Sequence, residues 1–181
     1  MENTSPVAAQ VKQRLYAMRN GIVADSLRKA GCPHRMIFGV NLPQLVGVAS
    51  EFAPSAALAD ELWADKSLRE SRLTAAMLYP VEELDRKRAE EMINDIMWQE
   101  EADILCFKLL RKTDFAAQLA SDLCGSEFPL KRYAGLRLWF NIVGKHPSEA
   151  LAAAENELKR SEPIAIASML SEEAQFILNG C

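Results

Sequence analysis

Apolar residues recur at three- and four-residue spacing along almost the whole of this chain, and nowhere is there sustained apolar–polar alternation with β-branched enrichment. The helical runs are short. Glycine or proline closes them after about a dozen residues, as at Gly31-Cys32-Pro33, Pro80, Gly125, Gly144 and Pro163. This punctuation predicts an all-α fold. Two helices are expected over residues 7–30, bending near Asn20-Gly21, and another after Pro43, which suits a first helical turn. Ser55 is placed to cap the next. Further helices are expected over residues 66–79, 85–97, 114–124, 129–143, 147–160 and 163–178, with one more following Trp98. Short turns between such helices imply antiparallel pairs. Pairs recurring every ~30 to 45 residues match the spacing of helical repeat arrays, which stack into a curved superhelix with a concave face.

A length of 181 residues with 49% hydrophobic content is enough for one filled core, so residues 1–181 are expected to form a single domain. No run approaches the ~18 apolar residues of a membrane span, and the polar start MENTSPVAAQ is unlike a secretory leader, so the expected location is cytoplasmic, with no membrane partner. Cys32, Cys106, Cys124 and Cys181 lack any C-x-x-C spacing and are expected to be reduced thiols. His34 and His146 are far apart in sequence, so no metal site is expected.

The formal net charge of −4 disfavours indiscriminate nucleic-acid binding, but the charge is unevenly distributed. Residues 104–148 carry seven Lys/Arg against three acids, and between Glu127 and Glu149 there is no acid at all, while Lys131, Arg132, Arg137 and Lys145 occur there. Two readings of that stretch stand side by side: a solvated helix face, or a surface for an anionic polymer. Arg69 and Arg72, three apart on one helical face, pose the same choice between phosphate contact and pairing with neighbouring acids.

Near the middle of the chain, Asn94 to Arg111 brings one tryptophan, several carboxylates and an apolar helix together. Ala102, Leu105, Cys106 and Leu109 form a buried face, which puts Trp98 at the helix start beside Glu100, Glu101 and Asp103. An aromatic face next to acceptors suits the edge of a recess. Equally, it suits a seam between helices with acids at the positive end of the helix dipole. Trp63 and Trp139 fall on apolar patterns and are expected in the core.

Several short motifs occur in the order seen in the bacterial DNA alkylation repair family, alkylpurine DNA glycosylases built from HEAT-like helical repeats. Ile37-Phe38-Gly39-Val40 followed by Pro43-Gln44-Leu45 resembles that family's opening motif. Glu61-Leu62-Trp63 and Glu70-Ser71-Arg72-Leu73 resemble its next two, Trp98 with Asp103-Ile104-Leu105-Cys106 its central stretch, and Lys131-Arg132 with Ala134 its paired basic residues. The resemblance implies HEAT-like helix pairs and hydrolysis of the N-glycosidic bond of cationic N3- or N7-alkylated purines in duplex DNA, without metal or organic cofactor. It implies that Trp98 lies against the sugar and backbone at the lesion, and that Asp103 stabilises the oxocarbenium-like sugar and positions water. Lys131 and Arg132 would grip phosphate, and Arg137 and Arg72 complete the expected DNA-binding set.

Three departures accompany the resemblance. Ala102 stands where the family's aspartate follows the tryptophan, and Asp103 comes one residue later, a shift of about 100° around a helix axis. Ser168 stands where a second aromatic wall is expected, and Ser171 where an arginine is expected. The chain is also short for the family, so a terminal helical pair is expected to be missing. Two functions follow as alternatives: a glycosylase, or a non-catalytic repeat module that binds DNA or a protein partner.

Overall fold

A computed structural model of the chain describes residues 5–180. Eleven α-helices and two short 3-10 turns make up its secondary structure, and among the described residues the only β feature is an isolated bridge between Met36 and Leu68. The all-α class read from the spacing is the observed one, built from packed helix pairs. The chain divides into two compact units, residues 1–84 and 85–181.

The first unit holds α1 (Pro6–Ala17), α2 (Gly21–Lys29), α3 (Leu42–Ser50), α4 (Ala56–Ala64) and α5 (Arg69–Leu78). Asn20 marks the expected bend between the first two helices by capping α2, its side chain accepting from the N–H groups of Ile22 and Val23 at 3.1 and 3.2 Å. Pro43 lies in the first turn of α3, behind a capping box of Asn41 and Gln44. Ser55 caps α4 as expected. By contrast, α5 starts at Arg69, later than the periodicity predicted. Lys66 and Ser67 form a turn, and Leu68 bridges to Met36, whose N–H donates to the Ser67 carbonyl at 2.8 Å, so Leu68 is extended.

The motif residues of this unit prove to be its internal fastenings. Glu70 is fully buried and accepts from three successive backbone N–H groups, those of Phe38, Gly39 and Val40, at 3.0, 2.9 and 3.3 Å. Its charge is matched by Arg69 at 2.6 Å. Gly39 is obligatory there: its φ is +76°, and a Cβ would run into the Asn20 carbonyl and lie 2.7 Å from the Ala24 nitrogen. Arg72 lies over the Trp63 ring at 4.0 Å and donates to the Trp63 carbonyl at 2.7 Å.

The second unit comprises α6 (Arg86–Asn94), α7 (Gln99–Lys108), α8 (Ala116–Cys124), α9 (Pro129–Ile142), α10 (Pro147–Leu158) and α11 (Ile166–Leu178). The neighbours α8 and α9 pack as a pair, as do α10 and α11, while α7 lies against α9. Leu105, Leu109, Leu110, Leu136 and Leu138 are completely buried around α9, each contributing about 1.5 to 3 kcal/mol. Gly135 lets α8 approach α9, since a Cβ there would sit 2.8 Å from the Cys124 nitrogen and 2.9 Å from the Ala120 carbonyl. Trp63 and Trp139 are core residues, as their patterns predicted. Among the described residues no helix is long and apolar enough to cross a membrane. Among the described residues Cys32, Cys106 and Cys124 are not in disulfides, and Cys181 lies outside the described residues.

Candidate functional site

Trp98 is the N-cap of α7, with extended backbone at φ −150° and ψ 155°, and its indole is half-buried. Behind it, the buried carboxylate of Glu101 accepts from the Met97 N–H at 2.6 Å, which fastens the chain as it enters the helix. Along a continuous helix, five positions from Trp98 to Asp103 amount to about 140° of rotation. The extended cap takes the tryptophan out of that helical phase, while Asp103 keeps a regular helical position within α7.

Asp103 is 31% exposed and tied to α9 on the same face by two residues one turn apart. The Tyr133 hydroxyl donates to Oδ1 at 2.7 Å, and Arg137 Nε lies 3.0 Å from the same oxygen. The Arg137 contact is an ion pair whose N–H is misaligned for a hydrogen bond. Burial, then the bond to Asp103, pushes the Tyr133 hydroxyl above its usual range, so it remains a donor throughout the neutral range. Both contacts fall on Oδ1, leaving Oδ2 with no bonded partner among the described residues.

Cys106, three residues after Asp103, is fully buried with its thiol 3.4 Å from the Ala134 carbonyl. Burial drives its pKa far up, so it packs and does not react. Cys124 is likewise pushed up to about 12, chiefly by burial.

The expected basic residues separate. Lys131 lies in the first turn of α9 with its ammonium 4.9 Å from the Phe128 ring centre, and Phe128 is 65% exposed. Arg132, its neighbour, is buried. It reaches Glu157 of α10 at 3.1 Å and donates to the Glu127 carbonyl at 3.1 Å. Glu157 is completed by Arg160 at 3.1 Å and by the Ile164 N–H at 3.2 Å. The phosphate-gripping role expected of Arg132 is therefore corrected: its guanidinium is spent on joining α9 to α10. Arg72 is corrected for the same reason, being fully buried on Trp63. Arg137 stays half-buried beside Asp103. Ser168 and Ser171, on α11, are exposed and buried respectively, and neither offers an aromatic wall.

Reasoning from the sequence missed Tyr133 and Glu157. Tyr133 and Arg137 lie i, i+4 on α9, a spacing that puts both on one face, but nothing in the spacing indicates that α7 faces it. A wide cleft of about 680 Å³ lies elsewhere in this unit, lined by Ser121, Cys124, Trp139, His146, Glu149 and Arg160 among others. Its size does not make it the site: Asp103, Trp98 and Tyr133 are not part of it, and its buried acid, Glu157, is already satisfied.

No curated protein and no solved structure matches the chain. The family profile described as DNA alkylation repair enzyme matches residues 11–176, a span that includes the Glu70 fastening, Trp98, the Asp103 cluster and the Arg132 pair. The chain therefore belongs to the DNA alkylation repair enzyme family, and its function lies in DNA alkylation repair.

Proposed function

We propose that this protein is a DNA glycosylase acting on cationic N3- and N7-alkylated purines in duplex DNA, with Asp103 as its catalytic carboxylate. The observation that carries the reading is the asymmetric anchoring of Asp103: Tyr133 and Arg137 hold Oδ1, while Oδ2 has no bonded partner among the described residues. A carboxylate fixed in this way suits a reaction in which positive charge develops on the departing sugar, because its orientation is set before the reaction begins. Its free oxygen can accept from the attacking water. The N–C bond breaks with its electrons going to the base, whose positive charge is thereby neutralised; water adds to the sugar carbon and loses a proton. An alkylated purine begins with that charge and leaves easily, whereas an unmodified base gains less from the same carboxylate. Trp98, half-buried at the helix start, supplies an apolar face for the sugar and backbone. Lys131, beside the exposed Phe128, contacts phosphate.

Ser168 favours a second reading, since the exposed position on α11 where an aromatic wall is expected carries only a hydroxyl. In that reading the scaffold binds DNA, or a protein, without chemistry. Incubation with methylated DNA separates the two. Wild-type protein is expected to release 7-methylguanine or 3-methyladenine, and Asp103→Asn to abolish release while duplex binding persists. Duplex binding with no release at high enzyme concentration establishes the second reading instead.

A further inference from the structure

Three cations meet in a cleft that none of the expected site residues touches. The 3-10 turn Leu110–Lys112 supplies Arg111 and Lys112, the end of α9 supplies Asn141 and Ile142, and Gly144 and Lys145 close it, around about 350 Å³. Arg111 is held over the Phe107 ring at 4.2 Å, with the Lys108 ammonium 5.0 Å from the same ring. Arg111, Lys112 and Lys145 form no ion pair among the described residues. Asp114, two positions after Lys112, is the nearest acid in sequence and it too is unpaired. The Asn141 amide nitrogen is buried with no acceptor among the described residues. The carboxyl end of α9 opposes anion binding with about half a negative charge. Three full positive charges outweigh it.

This cleft is aligned with Asp103. Tyr133 stands opposite Asp103 at a separation of 30 residues, Cys106 meets Ala134 at 28, and Arg111 shares the cleft with Asn141, again thirty positions on. A near-constant offset means that the two segments run in the same direction. On α7, Asp103 and Phe107 share one face; on α9, Arg137 and Asn141 do. Along α9, the eight residues from Tyr133, which holds the carboxylate, to Asn141 in the cleft rise roughly 12 Å, or about three to four base pairs of duplex.

We infer that Arg111, Lys112 and Lys145 form a phosphate clamp that holds the sugar-phosphate backbone of duplex DNA along the α7–α9 seam, at a set distance from Asp103. The inference rests on the proposed reading that the protein acts on duplex DNA. The clamp recognises the backbone and not the lesion, so damaged and undamaged duplexes engage it alike. Arg111, fixed against Phe107, offers a planar fork to one phosphate, and the two lysines act as point charges.

Fluorescence anisotropy with a short undamaged duplex, titrated at several salt concentrations, tests it on the intact chain. For Lys112→Ala/Lys145→Ala, the slope of log K against log salt is expected to fall by about 1.8, equivalent to ~60-fold weaker binding at 0.1 M salt relative to 1 M. Lys159→Ala, which removes an exposed charge on the far end of α10, is the control and should leave the slope unchanged. A slope unaltered in the double variant, with wild-type binding intact, overturns the clamp and leaves the glycosylase reading standing. Wild-type protein that fails to bind duplex at low salt overturns both. Both lysines are exposed, and an unchanged urea midpoint confirms that any loss belongs to the interface.

Discussion

Arg132 and Lys131 are adjacent and both basic, yet they do opposite work, because consecutive helix positions point about 100° apart. Arg132 is directed at Glu157, where both groups are nearly devoid of solvent. Removing it strands a buried carboxylate that Arg160 and the Ile164 N–H only partly compensate. Arg132→Ala is therefore expected to lower unfolding stability by about 3 kcal/mol, read as a shift in urea midpoint. Lys131→Ala should leave the midpoint in place. Asp103 follows the same logic of context: its residue type and place on α7 were visible in the sequence, but its anchoring depends on Tyr133 and Arg137, thirty and more positions away. Arg72 had the same outward signature as a phosphate-binding arginine. It is the Trp63 ring beneath it that makes it a packing residue.

Helix boundaries followed local chemistry closely where a cap or a proline set them. Asn20, Asn41, Ser55 and Asp85 each cap a helix through a backbone N–H, and Pro43, Pro129 and Pro147 each occupy a first turn. The start of α5 departs because pairing with Met36, from a remote segment, keeps Leu68 extended just before Arg69. How closely two helices approach is likewise a property of the pair. Gly135→Ala gains about 1 kcal/mol of helix propensity, but the new methyl meets backbone atoms of α8 that cannot rotate aside. Overpacking of that kind costs about 1 to 3 kcal/mol and wins. The variant is expected to be less stable than wild type by up to ~2 kcal/mol in urea unfolding, and a gain in stability would mean that α8 and α9 can separate freely.

Taken together, the charges give a protein that is formally −4 and yet bound to a family that works on DNA. The long-range field repels a duplex, but screening confines it to about 10 Å at 0.1 M salt, and inside that distance the local clusters decide. With Lys131, Arg111, Lys112 and Lys145 as the phosphate contacts, log K against log salt should have a slope of about −3.6. A slope near zero in wild-type titrations would rule out backbone-driven binding altogether. The class of fold, the helix count and the chemistry-bearing types at Trp98 and Asp103 were already legible in the order of residues, since periodicity, caps and breakers act within a few positions of themselves. Which arginines are spent inside, which oxygen of Asp103 is anchored, and where three cations without an ion pair among the described residues gather depended on helices meeting across tens of residues. Those outcomes arise from burial and long-range pairing, energies that do not exist until the helices are packed.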